Sequence, residues 1–343
     1  MAVTSQLFEA YLKCPTKCFL RARSEADAGN PYATWMEAQN KSYRSEGRKR
    51  LTEGSLRDDC VISPPDIGHF KVGKWRLAVD IIACTQNLES SIDAVERLPS
   101  GRRGKPTQFI PIRFIFTNKL CRDDKLLLAF DALTLAEFMG RNILAGKIIH
   151  GDDHTAARVK TSPLMGEVRK LIKKIAALLS SSSPPDLTLN RHCAACEFQA
   201  RCRQAAIEKD DLSLLSGMTE KECKRLRDRG IFTVTQLSYT FRPRRNPKRV
   251  AGKREKYHHS LQALAIRQNK IHIVGSLDLK IEGTPVYLDV EGLPDRDFHY
   301  LIGVRVKTAH EVVQYSLWAD NWPEKSNCGM TFSNCYRESK AHS

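Results

Sequence analysis

The 343-residue chain has no run of about 18 uncharged apolar residues; its most apolar stretch, Leu126 to Met139, is broken by Asp131 and Glu137, so no membrane span is expected. A secretory h-region is missing too, because Glu9 falls where apolar residues would be needed, and the expected compartment is the cytoplasm. Eleven cysteines in a reducing compartment do not predict a disulfide framework. No internal repeat is visible, and 41% hydrophobic with 27% charged residues excludes collagen, coiled-coil and wholly disordered readings. Gly101-Arg-Arg-Gly104-Lys105 lacks the glycine spacing and the Ser/Thr of a phosphate-binding loop and reads as a basic hairpin turn. Positive charge, by contrast, is in surplus: 55 Lys and Arg against 39 Asp and Glu leave +16, with a pI near 9.4. That surplus points to a polyanion, nucleic acid first and DNA ahead of RNA, because each cation placed on a phosphate releases counterions; plain solubility is the alternative.

At roughly 150 residues per domain the length predicts about two domains. The first covers 1–209. Leu7, Phe8, Tyr11 and Leu12 recur at helical spacing before Cys14-Pro15, where proline resets or begins a helix. Trp75 to Cys84, Ser91 to Leu98 and Phe109 to Thr117 predict neighbouring strands, with another over Lys147 to His150. Asp123-Asp124 opens an apolar helix that runs to Met139 and stops at Gly140. Val168, Leu171, Ile172, Ile175, Leu178 and Leu179 form the buried face of a further helix, whose outer face carries Arg169, Lys170, Lys173 and Lys174. Strands alternating with helices place the chain in the α/β class.

A helical connector follows over 210–240, with a capping box at Thr219 and Glu222 and Gly230 as a helix stop. A basic linker covers 241–270. Between Phe241 and Lys256 eight basic residues, among them Arg242, Arg244, Arg245, Lys248 and Arg249, face the single Glu255, a local charge of +7. Three strands are predicted over 271–320, at Pro285 to Val290, Phe298 to Lys307 and Val312 to Trp318, and 321–343 is unpatterned.

Two constellations carry chemistry. Cys193-x2-Cys196-x5-Cys202, with the distant Cys14, supplies four thiolates, enough for tetrahedral zinc or a 4Fe-4S cluster, and a bond from Cys14 would clamp the ends of the first domain together. Cys60, Cys84 and Cys121 read as small buried hydrophobes, and His150, His154 and His192 as surface or satisfied histidines. In Val286-Tyr-Leu-Asp289-Val-Glu291-Gly292, period two puts Asp289 and Glu291 on one strand face, suited to sharing Mg²⁺ or Mn²⁺ in a two-metal site.

Tyr11-Leu-Lys-Cys14-Pro15 together with the cysteine triplet resembles the iron-sulfur form of RecB-family nucleases, across 1–209. The resemblance implies a PD-(D/E)XK nuclease fold fastened by a 4Fe-4S cluster on Cys14, Cys193, Cys196 and Cys202, with Cys18 competing for the N-terminal place. It also implies a first catalytic aspartate at Asp93, with Asp80 as substitute. The family's acid-x-lysine falls on Arg113-Phe114-Ile115, and its downstream glutamine and tyrosine on Leu127 and Asp131, while no histidine stands near Gly47. A permanent cation cannot ligate Mg²⁺, so the resemblance implies the fold without its hydrolytic centre. The segment Leu215 to Leu237 resembles a helix-hairpin-helix module, which holds DNA phosphate on backbone N–H groups. Asp289-Val-Glu291 with Phe298 to Val304 resembles the start of a YprB-like ribonuclease H-like domain of the DEDD exonuclease type, here expected to be incomplete because further aspartates are missing downstream and Asp320 comes too early. The whole order resembles a bacterial family of RecB-like nucleases, and implies metal-dependent phosphodiester hydrolysis or, failing that, a catalytically silent nucleic-acid-binding module.

Overall fold

The computed structural model describes residues 2–25, 29–54, 59–62, 75–98, 107–242, 258–272, 283–293, 298–308 and 310–319. By contacts the chain divides into a unit reaching to residue 273 and a second unit beyond it, with loops 117–119 and 151–153 grouped with the second. Among the described residues no helix is long and apolar enough to cross a membrane.

In the first unit, β1 (Val3–Thr4) runs into α1 (Ser5–Lys13), where the Thr4 hydroxyl accepts the Leu7 N–H and satisfies an otherwise open helix end. Cys14 is extended, and Pro15, with no N–H to lose, opens α2 (Pro15–Ala22). Asn30 caps the long α3 (Pro31–Glu53) by accepting from the Tyr32 and Ala33 N–H groups. Next come β2 (Cys60–Ile62), β3 (Leu77–Cys84), β4 (Leu88–Leu98) and β5 (Gln108–Ile115). The crossover helix α4 (Arg122–Met139) ends at Gly140, whose φ of +65° suits glycine. β6 (Ala145–His150), β7 (Thr155–Lys160) and α5 (Met165–Ser180) follow.

These strands form a seven-stranded mixed sheet in the order β2-β3-β4-β5-β6-β7, with β1 parallel to the first part of β4. The run β3-β4-β5 is antiparallel, and β6 returns parallel to β5 after α4. Both faces of the sheet are covered. Phe8, Leu127 and Phe130 belong to the core that joins α1, α4 and α5, whereas Tyr43 of α3 packs with Ile112 and Phe114 on the opposite face. A Cβ on Gly47 would run into the Phe114 ring, so a glycine there lets α3 lie against the sheet.

The helical part of this unit consists of α6 (Gln199–Glu208), α7 (Glu220–Arg227), α8 (Val234–Ser238) and α9 (His259–Gln268). Its own small core gathers Leu212, Leu215, Met218, Cys223, Val234, Leu237 and Ala263. Capping boxes at Thr219/Glu222 and Thr233/Gln236 define the starts of α7 and α8, and Gly230, at φ +80°, makes the turn between them. In the second unit, β8 (Val286–Leu293), β9 (Phe298–Lys307) and β10 (Val312–Trp318) form an antiparallel meander, with an irregularity between Glu291 and Gly292.

One expectation needs correction. Cys84 and Cys121 are exposed and Cys60 half-buried; among the described residues the buried non-cluster cysteines are Cys18 and Cys223, each at 0% exposure. α3 has only two buried residues, Tyr43 and Gly47, so it carries no apolar stripe for a periodicity reading to find. β7 buries only Val159 and went unmarked for the same reason.

Candidate functional site

Cys14 lies at the joint between α1 and α2, Cys193 opens a short 3-10 turn, Cys196 ends it and Cys202 sits in α6. All four line one cavity of about 20 Å³, together with Lys13, Lys17 and His192. Cys18 belongs instead to the apolar core beside Phe8, where burial pushes its thiol up to about 12.

Long-range polar contacts hold the cysteine loop to the N-terminal helices. Asn30 Nδ2 donates to the Ala194 and Cys196 carbonyls at 3.1 and 3.0 Å and to Gln199 Oε1 at 3.0 Å, while its Oδ1 caps α3. Asn190 Nδ2 donates to the Lys13 carbonyl at 3.2 Å, and the Asn190 N–H donates to Cys193 Sγ at 3.3 Å. Lys17 Nζ and Arg21 Nε both reach Glu197, at 2.7 and 2.6 Å. Burial opposes ionisation of Glu197, yet those two cations hold its carboxyl below the ordinary value.

Burial raises the thiols of Cys193, Cys196 and Cys202; for Cys202 the neighbouring Cys14, Cys196 and Cys193 add to it and the value reaches about 11. Deprotonating these thiols therefore calls for a cation in the cavity, and metal uptake would release protons. His192 shifts down through burial, then Arg191 and Lys13, which keeps its ring neutral. Among the described residues no group of three or more His, Cys, Asp or Glu side chains is arranged to hold a single metal ion as it stands. The donor set fits zinc or a 4Fe-4S cluster, and Cys14, Cys193, Cys196 and Cys202 would hold either.

A second constellation lies where β4 and β5 part. Their pairing ends at Ala94–Ile112, and beyond it the buried Asp93 carboxylate accepts the Phe114 N–H at 3.0 Å. Arg113, 3% exposed, faces α4 and donates through Nε and one terminal nitrogen to the two oxygens of Asp131, each at 2.7 Å; Ser90 Oγ adds a third bond to Asp131 at 2.6 Å. Burial alone would lower the Arg113 pKa, but Asp131 first, then Asp93 and Glu9, raise it above the usual value. Burial pushes the Asp131 carboxyl upward, against the opposing pull of Arg113 and Ser90. Asp80 is exposed, at φ +54°, and pairs with Arg48 outside this constellation.

Asp289 and Glu291 occupy alternate positions of β8, opposite Gly303 and Leu301, and both are exposed. Arg242 is exposed, whereas Arg244, Arg245, Lys248 and Arg249 lie outside the described residues, as do Asp320 and the segment 321–343.

Sequence reasoning missed Asn30 and the pair of Lys17 with Glu197. Asn30-Pro31 is a readable helix start, since Asn favours the cap and Pro the first turn; its other bonds, and the Lys17–Glu197 pair, cross about half the chain and leave no local trace. The sequence matches no protein-family model and no curated protein.

Proposed function

We propose that the first unit is a nucleic-acid-binding module on a RecB-like nuclease fold, closed as a catalyst and fastened by a metal centre on Cys14, Cys193, Cys196 and Cys202. The strand order β3-β4-β5, crossover helix α4 and parallel β6, with Asp93 at the point where two strands part, support this reading. One observation carries the conclusion: Arg113, on which the resemblance puts the second metal-binding acid, is locked onto Asp131. Asp93 alone, with one oxygen already bonded to the backbone and a cation beside it, is a poor Mg²⁺ site. A zinc ion or iron-sulfur cluster on the four thiols would cross-link segments far apart in the chain. Nucleic acid is the preferred ligand, on the strength of the +16 charge.

A second reading belongs to the other unit. Asp289 and Glu291 are exposed on alternate positions of one strand, with Gly303 opposite Asp289, so this pair is the place where divalent-metal phosphodiester hydrolysis would reside.

Labelled single- and double-stranded substrates with Mg²⁺ or Mn²⁺ test both. The expected result is salt-dependent binding, with any cutting lost in Asp289→Ala and unaffected by Asp93→Ala. Cutting that disappears with Asp93→Ala would overturn the closed-centre reading. Anaerobic purification tests the metal: brown protein that loses its colour in Cys196→Ala supports 4Fe-4S, and colourless protein with one zinc per chain assigns the site to zinc.

A further inference from the structure

We propose that Tyr239 and Arg267 form a stacking platform for unpaired nucleobases, which makes single-stranded nucleic acid the ligand of the helical part of the first unit. The proposal rests on the nucleic-acid reading above and adds to it a place and a strand state.

Tyr239 closes α8 and is 71% exposed, whereas Leu237, two residues earlier, is 4% exposed in the small helical core. That core is made without the tyrosine, so the ring has no packing role that explains it. Arg267, in the last turn of α9, lays its guanidinium over the ring at 3.9 Å from the centroid. At the start of α9, Phe241 meets His258 edge to face, with centroids 5.4 Å apart and planes at 89°. His258 Nδ1 is fixed by a 2.8 Å bond to Ser260 Oγ. Tyr239 thus meets the end of α9 through Arg267, and Phe241 meets its start through His258, with the exposed Arg242 next in sequence.

The chemistry of this group selects its ligand. Every base offers a π-face, so an exposed ring with a stacked guanidinium accepts unpaired bases with little regard to sequence, while the cation meets the adjoining phosphate. Paired bases keep their faces inside the duplex and cannot use the platform. The sequence between Arg242 and His258 holds seven further basic residues against Glu255, a charge complementary to a polyanion threading past this point.

The test measures binding of one labelled oligonucleotide, single-stranded and as its duplex, to the full chain and to Tyr239→Ala, Tyr239→Leu, Tyr239→Trp and Arg267→Ala. Tyr239→Ala and Tyr239→Leu should weaken single-strand binding by about 5- to 150-fold, the loss of one stacked base, with duplex binding unchanged and Tyr239→Trp at or above the starting affinity. Because Tyr239 is exposed, its unfolding midpoint should not move; if Tyr239→Ala nevertheless unfolds, Tyr239→Leu decides. Equal losses on both substrates, or none on either, overturn the platform. A chain that binds duplex but not single strands overturns the platform alone, whereas one that binds neither removes the nucleic-acid reading with it.

Discussion

Asp93 of β4 and Asp289 of β8 are both strand aspartates with an acid or a cation close by, and they meet opposite surroundings. Asp93 sits in a sheet covered on both faces, spends one oxygen on a backbone N–H and lies beside an arginine that is itself bonded to Asp131. Asp289 stands exposed on the outer strand of a three-stranded meander. A carboxylate in the first setting is committed to holding the fold, since any lost partner leaves a charge without water. In the second it remains available to an incoming ion. Burial, more than residue type, separates an acid that holds structure from one that can bind a metal.

The largest expected effect breaks the buried pair. Asp131→Ala strands the Arg113 charge and should cost roughly 3–5 kcal/mol in urea unfolding, whereas Arg113→Met with Asp131→Leu should be close to neutral. A single variant as mild as the double one would show that the centre is wetter than its 0–4% side-chain exposure. Next in size, Asn30→Ala removes a buried side chain that both caps α3 and holds the cysteine loop, an expected loss of about 1–3 kcal/mol with reduced metal content by elemental analysis. Full metal loading in that variant would confine Asn30 to helix capping.

Glu9 sharpens the same contrast through pH. Burial opposes its charge, but Lys13, Arg113 and Arg44 hold its carboxyl at about 2, below the ordinary 4.5. Its stabilising contribution is therefore fully present above 4.5 and lost as pH falls through about 2. Glu9→Gln should be less stable than the original chain near neutrality and equal to it at the acid limit, with a small difference because the side chain is one-third exposed. The smallest effect belongs to the other unit: Asp289→Ala and Glu291→Ala should change stability by less than about 0.5 kcal/mol, since exposed side chains away from caps and cores contribute little.

Strands and helices that bury one face were legible from spacing. β3, β5, α4 and α5 fall close to where alternation and apolar stripes put them, and Gly140 ends its helix as its place in the sequence suggested. α3 was not legible: it spans 23 residues and buries two, so tertiary contact through Gly47 and Tyr43, rather than pattern, fixes it. At the candidate site the cysteine spacing pointed to one shared place, and the cavity contains all four residues. What spacing cannot express is which distant residue supports which. Arg113 was readable as a misfit in the nuclease pattern, but its bond to Asp131 depends on α4 crossing β5 at that register. Cys121 looked like a core residue by type and proves to be a helix cap at the surface.

The join between Arg21 and Glu197 spans 176 residues of chain, and its consequence is one of timing. At about 5–20 residues per second of synthesis, the first two helices wait roughly ten to thirty-five seconds before the cysteine loop emerges to meet them. Throughout that interval Cys14 is a thiol without its three companions. A metal held as proposed above would be delivered only in the later part of synthesis, once all four cysteines are present.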